Sequence, residues 1–351
     1  MKAKFPISNF QFPTTMSDSE IHIRPCRPGD EQAILALFHK AFHHERSPAH
    51  WNWKFLANPF GGPFISTAWV DDTLAGHYAC YPVPFRMGGE DTVIYQLGDT
   101  MTDPAFRNIG RGHTNILART TRHFYDTFCK GKIPFCYGFN TGKIHRFGKL
   151  FLRYEPVWEV GEWILDRQGL DKLPMPGYWQ RLIRGYNVDK VESAGEWADA
   201  FFESVAPHYG WLVVRNAEYL EWRYCRHPDI QYDFWVIRRR RRVVGWMIGL
   251  YRNGRLHIGD ALFSPGDPWA MSLALQAWLD YLRNQGHEIA GIRSWFTPQP
   301  LWWVQQLKTI GFRHEPEPNN LIMFIVRFTS DISPKEALKR MYFTWGDSDL
   351  F

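Results

Sequence analysis

The chain is expected to fold as an α/β protein of two tandem units, each a mixed, mostly antiparallel sheet flanked by helices. Its 351 residues exceed the roughly 100–200 residues usual for one domain. It also repeats itself. Trp53-Lys54-Phe55-x-x-Asn58-Pro59 returns as Trp222-Arg223-Tyr224-x-x-His227-Pro228, 169 residues on. Trp69-Val70 and Trp235-Val236 each precede a short polar turn, and Gly76 and Gly245 stand on the strand that follows. Three matches in the same order point to duplication. Finally, both halves alternate strand-like and helix-like apolar periodicity, the mark of mixed α/β units.

The first copy opens with a helix over 31–43, entered through Pro-Gly-Asp with Asp30 as N-cap. Segments 65–70 and 75–85 read as a hairpin around Asp71-Asp72, and 92–102 as a further strand. A long helix is expected over 112–129, with Ile116, Leu117, Phe124 and Phe128 near helical spacing, then a short buried strand over 133–139. In the second copy strands are expected over 232–237, 243–251 and 255–263, with Asn253-Gly254 as a tight-turn signal. A helix over 268–284, a strand over 289–296 and a helix over 301–309 complete it. The resulting division is a loose leader over 1–18, a first unit over 19–170, a linker over 171–195, a second unit over 196–330, and a C-terminal helix and acidic–aromatic tail over 331–351.

Hydrophobic residues at 45% and charged residues at 22% fit a globular protein with a large core. The 17 Trp and 26 Phe suggest aromatic-rich cores or a broad apolar cleft. A net charge of +5 favours anionic ligands such as a nucleotide cofactor but is too small to argue for nucleic acid. Five scattered cysteines with no CxxC pair indicate neither a disulfide framework nor a metal site. No apolar run approaches the ~18 residues of a membrane span and no signal-peptide core is present, so no membrane partner and a cytoplasmic location are expected.

Chemistry concentrates in Thr102-Asp103-Pro104-Ala105-Phe106-Arg107-Asn108-Ile109-Gly110-Arg111-Gly112-His113, between an expected strand and an expected helix. Glycines at 110 and 112 let backbone pass close to a ligand, a helix start offers unpaired N–H groups to an anion, and Arg107 and Arg111 add positive charge. This string resembles motif A of the GNAT acyltransferase superfamily, with Arg107-x-x-Gly110-x-Gly112 as the pyrophosphate loop and Pro104 and Phe106 before it. Ile23-Arg24-Pro25 through Gly29-Asp30 resembles the family's first strand and helix entry. The resemblance spans most of 21–328 and is strongest over 98–125.

It implies a tandem GNAT protein, an N-acyltransferase that uses acetyl-CoA or another acyl-CoA as co-substrate, with no metal. Backbone from Asn108 to His113 would hold the pyrophosphate, and Met101, Thr102 and Asn140 would face the pantetheine and thioester. The acceptor would be an amine-bearing small molecule, an amino sugar or a peptide lysine, attacked directly in a ternary complex. The family's usual Tyr general acid is replaced by Phe147. The corresponding loop of the second copy, Ser264-Pro265-Gly266-Asp267-Pro268, lacks spaced glycines and carries an acid, so only the first unit is expected to bind CoA.

For proton transfer Asp99, on the strand before the loop, is a candidate base or ammonium anchor. The tail Trp345-Gly346-Asp347-Ser348-Asp349-Leu350-Phe351 is the second candidate: by resemblance to tandem GNAT enzymes, Asp347, Asp349 or the Phe351 carboxylate would reach the first unit's site. Tyr137 and His145 are fallback acids. Arg238–Arg242 read as a solvated hairpin tip, and the repeated Trp-Lys/Arg-aromatic motifs as helix-terminating core elements, stopped at Pro59 and Pro228. The competing reading is a non-catalytic acyl-CoA-binding sensor or scaffold.

Overall fold

The computed structural model describes residues 21–351; the leader expected over 1–18 lies outside them. Strands in chain order are β1 Ile21–Pro25, β2 Phe64–Val70, β3 Thr73–Met87, β4 Glu90–Thr102, β5 Phe135–Asn140, β6 Glu155–Glu159, β7 Gly161–Asp166, β8 Tyr186–Val191, β9 Trp211–Val213, β10 Asp233–Arg239, β11 Arg242–Arg252, β12 Arg255–Phe263, β13 Gly291–Trp295, β14 Arg313–Pro316, β15 Ile322–Arg327 and β16 Met341–Tyr342. The first sheet runs β1-β2-β3-β4-β5-β15-β6 and the second β8-β10-β11-β12-β13-β7-β14 when both are read from the same end. The two orders correspond place by place. Along these orders each sheet is antiparallel except at its centre, where β4 pairs parallel with β5 and β12 with β13.

The correspondence includes an exchange. β7, from the first half of the chain, sits between β13 and β14 of the second sheet. β15, from the second half, sits between β5 and β6 of the first. The division at residue 170 is therefore crossed by a strand in each direction. The expected linker is also more structured than its Pro/Gly content predicts: Tyr178–Arg184 is helical and β8 forms the edge of the second sheet against β10. β9 and β16, both from the second half, extend the first sheet at the end of β3. One continuous core spans the two sheets, with Trp246, Trp278 and Trp303 fully buried.

Four helices frame the first sheet. α1 (Glu31–Phe42) buries Ile34, Leu37 and Phe38, three positions on one helical face. α2 (Pro48–Phe55) starts where the Ser47 hydroxyl accepts the His50 N–H at 3.0 Å, with Pro48 in the first turn. α3 spans Ile116–Phe124 and continues as a π-helical turn over Tyr125–Cys129, and α4 spans Gly142–Phe151. Among the described residues no helix is long and apolar enough to cross a membrane.

Candidate functional site

β4 carries a bulge at Asp99, whose φ is +52°, and the register against β3 shifts between His77 and Ala79. A bulge bends its strand and ends regular pairing. β4 and β5 pair only at Tyr95–Cys136 and Gln96–Tyr137. Beyond that point β5 is followed by β15 alone as far as Asn140, leaving a wedge between the ends of β4 and β5. Among the described residues, both side-chain polar atoms of Asn140, at the end of β5, and the Nδ1 of His145, on α4, are buried without a partner. An unmet polar pair of this kind costs free energy unless a ligand satisfies it. Met101 is buried under α1 and α2, and the Thr102 carbonyl accepts from Arg107 Nε at 3.3 Å.

The loop after β4 differs from expectation in one respect. The regular helix begins at Ile116, not at residue 112, because Asn115 caps it through the Leu117 N–H while Gly112–Thr114 forms a separate 3-10 turn. The first N–H groups of α3 are thus already spent: Ile116 donates to the Ile109 carbonyl at 3.2 Å and Leu117 to Asn115 at 3.0 Å. Among the described residues no acceptor takes the N–H of Asn108, Gly110, Gly112 or His113, and the loop is largely exposed. The glycines answer to the loop's own folding. A Cβ on Gly110 (φ +69°) would meet the Thr114 carbonyl oxygen at 2.1 Å, and one on Gly112 (φ +56°) the Phe151 ring at 3.2 Å. Arg107 and Arg111 are exposed, and the His113 ring packs edge-on against Phe151.

On the other face of β4 lies a polar cluster that the sequence did not announce. Asp99 is buried between Arg46 and Lys54, the latter 3.2 Å away. Burial raises its pKa, but the two cations outweigh that and hold it well below the usual carboxylate range. It is therefore neither a base nor a free ammonium anchor, a correction to the sequence reading. Lys54 also reaches Asp349 at 3.3 Å. His50, in the first turn of α2, holds Asp229 at 2.6 Å through Nδ1, and Ser47 donates to the same carboxylate at 3.1 Å. Burial first, then the Arg46 and Lys54 charges, lower the His50 pKa; the Asp229 contact opposes them. A cavity of about 360 Å³ between α1 and the tail is lined by Arg46, His50, Asp99, Asp229 and Asp349. A smaller one of about 150 Å³ beside it is lined by His50, Lys54, Tyr81, Arg223 and His227.

The tail does come to the first unit. With its NH₂ toward the Asp347 carbonyl, the Gln96 amide donates to it at 3.0 Å and accepts the Asp349 N–H at 2.7 Å. Glycine at 98 is what admits Asp349, whose Oδ2 lies 2.4 Å from where a Cβ would stand. Of the three expected tail groups, Asp349 lines both cavities and Phe351 lines the smaller one. Asp347 is fully enclosed, 2.6 Å from Arg215 and sharing it with Asp260, and burial raises its pKa to about 6. Phe351 turns its ring onto Tyr232, and its carbonyl oxygen accepts from Tyr232 at 3.1 Å and Arg223 at 3.4 Å. Tyr137 is likewise corrected as an acid: it is fully buried, donates to the Asp347 carbonyl at 2.9 Å, and burial pushes its pKa up.

The second unit's equivalents are filled by its own residues. Asp267 accepts the Trp269 and Ala270 N–H groups at 3.2 and 3.1 Å and both contacts from Tyr186, so a carboxylate already sits at that helix start. At the register shift opposite Gly249, Gly259 is covered by the Phe351 ring, which would meet an added Cβ at 1.9 Å.

Residues 22–148 match the family model described as an acetyltransferase (GNAT) domain. No curated protein matches the chain. Among solved structures, a conserved protein of unknown function from Enterococcus faecalis, a probable N-acyltransferase, superposes with a TM-score of 0.60 at 13% identity, over 87% of this chain and 72% of that one. Saccharomyces cerevisiae N-myristoyltransferase with bound myristoyl-CoA gives 0.54 at 13% identity, over 95% and 88%. A tandem GNAT protein from the clavulanic acid biosynthesis pathway gives 0.53 at 12%, over 88% and 98%. At these identities the structures speak to fold alone: residues 22–148 carry the match to an acetyltransferase (GNAT) domain, and the chain as a whole has a fold similar to that of tandem GNAT proteins.

Proposed function

We propose that this protein is an N-acyltransferase that moves an acyl group from acyl-CoA to an amine by direct attack. The observation that carries the proposal is the wedge between β4 and β5, with the free amides of Asn108, Gly110, Gly112 and His113 in the loop that follows β4 and with Asn140, unpartnered among the described residues, at the end of β5. Those amides and Arg107 and Arg111 suit a pyrophosphate, and Asn140 suits a pantetheine amide. The thioester carbonyl then meets the bulge at Asp99–Met101, with the acceptor arriving from the cavity on the other face.

In this reading His50 is the general base. Its Nδ1–H donates to Asp229, which fixes the tautomer and leaves Nε2 unprotonated for the amine proton. The lowered pKa keeps the ring neutral at pH 7. The amine nitrogen attacks the carbonyl carbon, the C–S bond breaks, and the departing thiolate takes a proton from solvent; burial lowers the pKa of His145 on α4, so that neutral ring is a poor donor. Asp349 and Arg46 form part of the polar wall of the acceptor cavity. A cysteine intermediate has no support: burial raises the pKa of Cys80 and Cys136, and pushes Cys26 and Cys225 up to about 12.

The test is CoASH release from acetyl-CoA and longer acyl-CoAs across a panel of small amines, amino sugars and lysine peptides. Binding of acyl-CoA with no turnover on any acceptor would establish the sensor reading instead. With an active pair in hand, His50→Gln should lower kcat by about 10²–10⁴ while acyl-CoA affinity holds. A depressed imidazole pKa means the base is lost only as pH falls below the ordinary value of about 6.5, so the acid limb of the wild-type profile should lie there and be absent in the variant. Unchanged kcat in His50→Gln would remove His50 from the mechanism.

A further inference from the structure

The short helix Tyr178–Arg184 exposes Tyr178 at 74%, Trp179 at 69%, Leu182 at 60% and Ile183 at 71%. These four large apolar side chains share one face, at positions i, i+1, i+4 and i+5. Isolated exposed apolar groups need no account, but four on two turns of one helix form a patch of the kind that marks an interaction site. The patch is held firmly. Gly185 closes the helix in the left-handed conformation, and its carbonyl accepts the Arg240 N–H at 2.6 Å, tying the helix end to the β10–β11 hairpin tip.

That tip brings Arg239, Arg240, Arg241 and Arg242 beside Ile183 and Arg184, around one shallow depression. Arg181 stands on the same helix. Arg239 is paired with Asp267 at 3.2 Å, but among the described residues Arg181, Arg240, Arg241 and Arg242 form no ion pair. Crowded like charges repel one another and are satisfied by an anionic partner.

We propose that this face docks the protein onto an anionic lipid bilayer. Trp and Tyr rings settle at the depth of the headgroups, aliphatic side chains enter the acyl boundary, and arginines are drawn to acidic headgroups. All three components are here on one rigid edge. Single-stranded RNA would use the arginines and the rings but gains nothing from Leu182 and Ile183. A second copy of the chain meeting face to face would set one arginine rim against another.

The experiment is co-sedimentation of the full chain with phosphatidylcholine vesicles, with and without phosphatidylglycerol. Binding is expected only with the anionic lipid and should weaken as salt rises. Trp179→Ser/Leu182→Ser leaves every charge in place and should reduce binding about tenfold, and Arg240→Glu/Arg241→Glu should abolish it. All four side chains are exposed, and matching thermal melts would confirm that the variants fold. Three results would overturn the proposal: no vesicle binding, vesicle binding that survives the serine variant, or the same patch mediating either tighter binding to a single-stranded RNA or a dimer in sedimentation velocity.

Discussion

Lys54 and Arg223 occupy equivalent places in the duplicated motif, and both are buried with their charges aimed at the tail. Lys54 spans Asp99 and Asp349; Arg223 donates to the carbonyls of Gly346, Ser348 and Phe351. A buried cation survives only when paired in this way. His77 illustrates the converse. Its Nδ1 donates to the Asp99 carbonyl at 2.7 Å, and burial lowers its pKa to about 4, so it fixes the bulge as a neutral ring. At the loop proposed to hold the cofactor the decisive residue is Gly110. Alanine there would combine an unfavourable left-handed backbone with a clash against Thr114, so acyl-CoA affinity should fall about tenfold or more. Calorimetry checks this, and wild-type affinity in Gly110→Ala would dissociate the loop from cofactor binding.

At the scale of elements, the exchanged strands β7 and β15 lock each sheet with chain from the other half. The tail adds a third tie, since the segment before it pairs as β16 with β9 while Asp347 joins Arg215 and Asp260. Two carboxylates share one guanidinium, and that cluster is fully buried. Removing the cation leaves uncompensated charge in the core. Arg215→Met should therefore cost about 3–5 kcal/mol, measured by urea unfolding, and loosen the tail enough to lower activity. A loss below about 1 kcal/mol, the scale of an exposed pair, would show that the cluster is better hydrated than its burial implies.

For the molecule as a whole, the duplicated tryptophans meet. Trp53 donates its indole N–H to the Trp222 carbonyl at 2.7 Å and Trp222 to the Trp53 carbonyl at 3.1 Å, with the rings stacked 5.2 Å apart. A residue touching its own repeat is the pattern of a two-fold interface, here within one chain. His50 of the first unit contacts Asp229 and His227 of the second at the same seam, so the proposed base exists only when the units are joined. A double-mutant cycle of Trp53→Phe and Trp222→Phe should give a coupling of about 0.5–3 kcal/mol. Additive effects would mean that the seam does not act as a unit.

The sequence alone determined what depends on nearby residues and on repetition. The 169-residue offset set out two like units. Alternating apolar patterns located most strands, and the strand–glycine loop–helix string marked the side where the cofactor is proposed to bind. Because Ser47-Pro48 is a local cap, the start of α2 is also written in the sequence. Only the tertiary structure decided which carboxylates are spent and which are presented. Asp99, Asp347 and Asp349 look alike as letters; burial and the cation each one meets separate them, and those cations lie 45 to 295 residues away in the chain. The strand exchange was likewise invisible to periodicity, since an apolar strand reads the same in either sheet. Which sheet it completes is settled by the gap it fills.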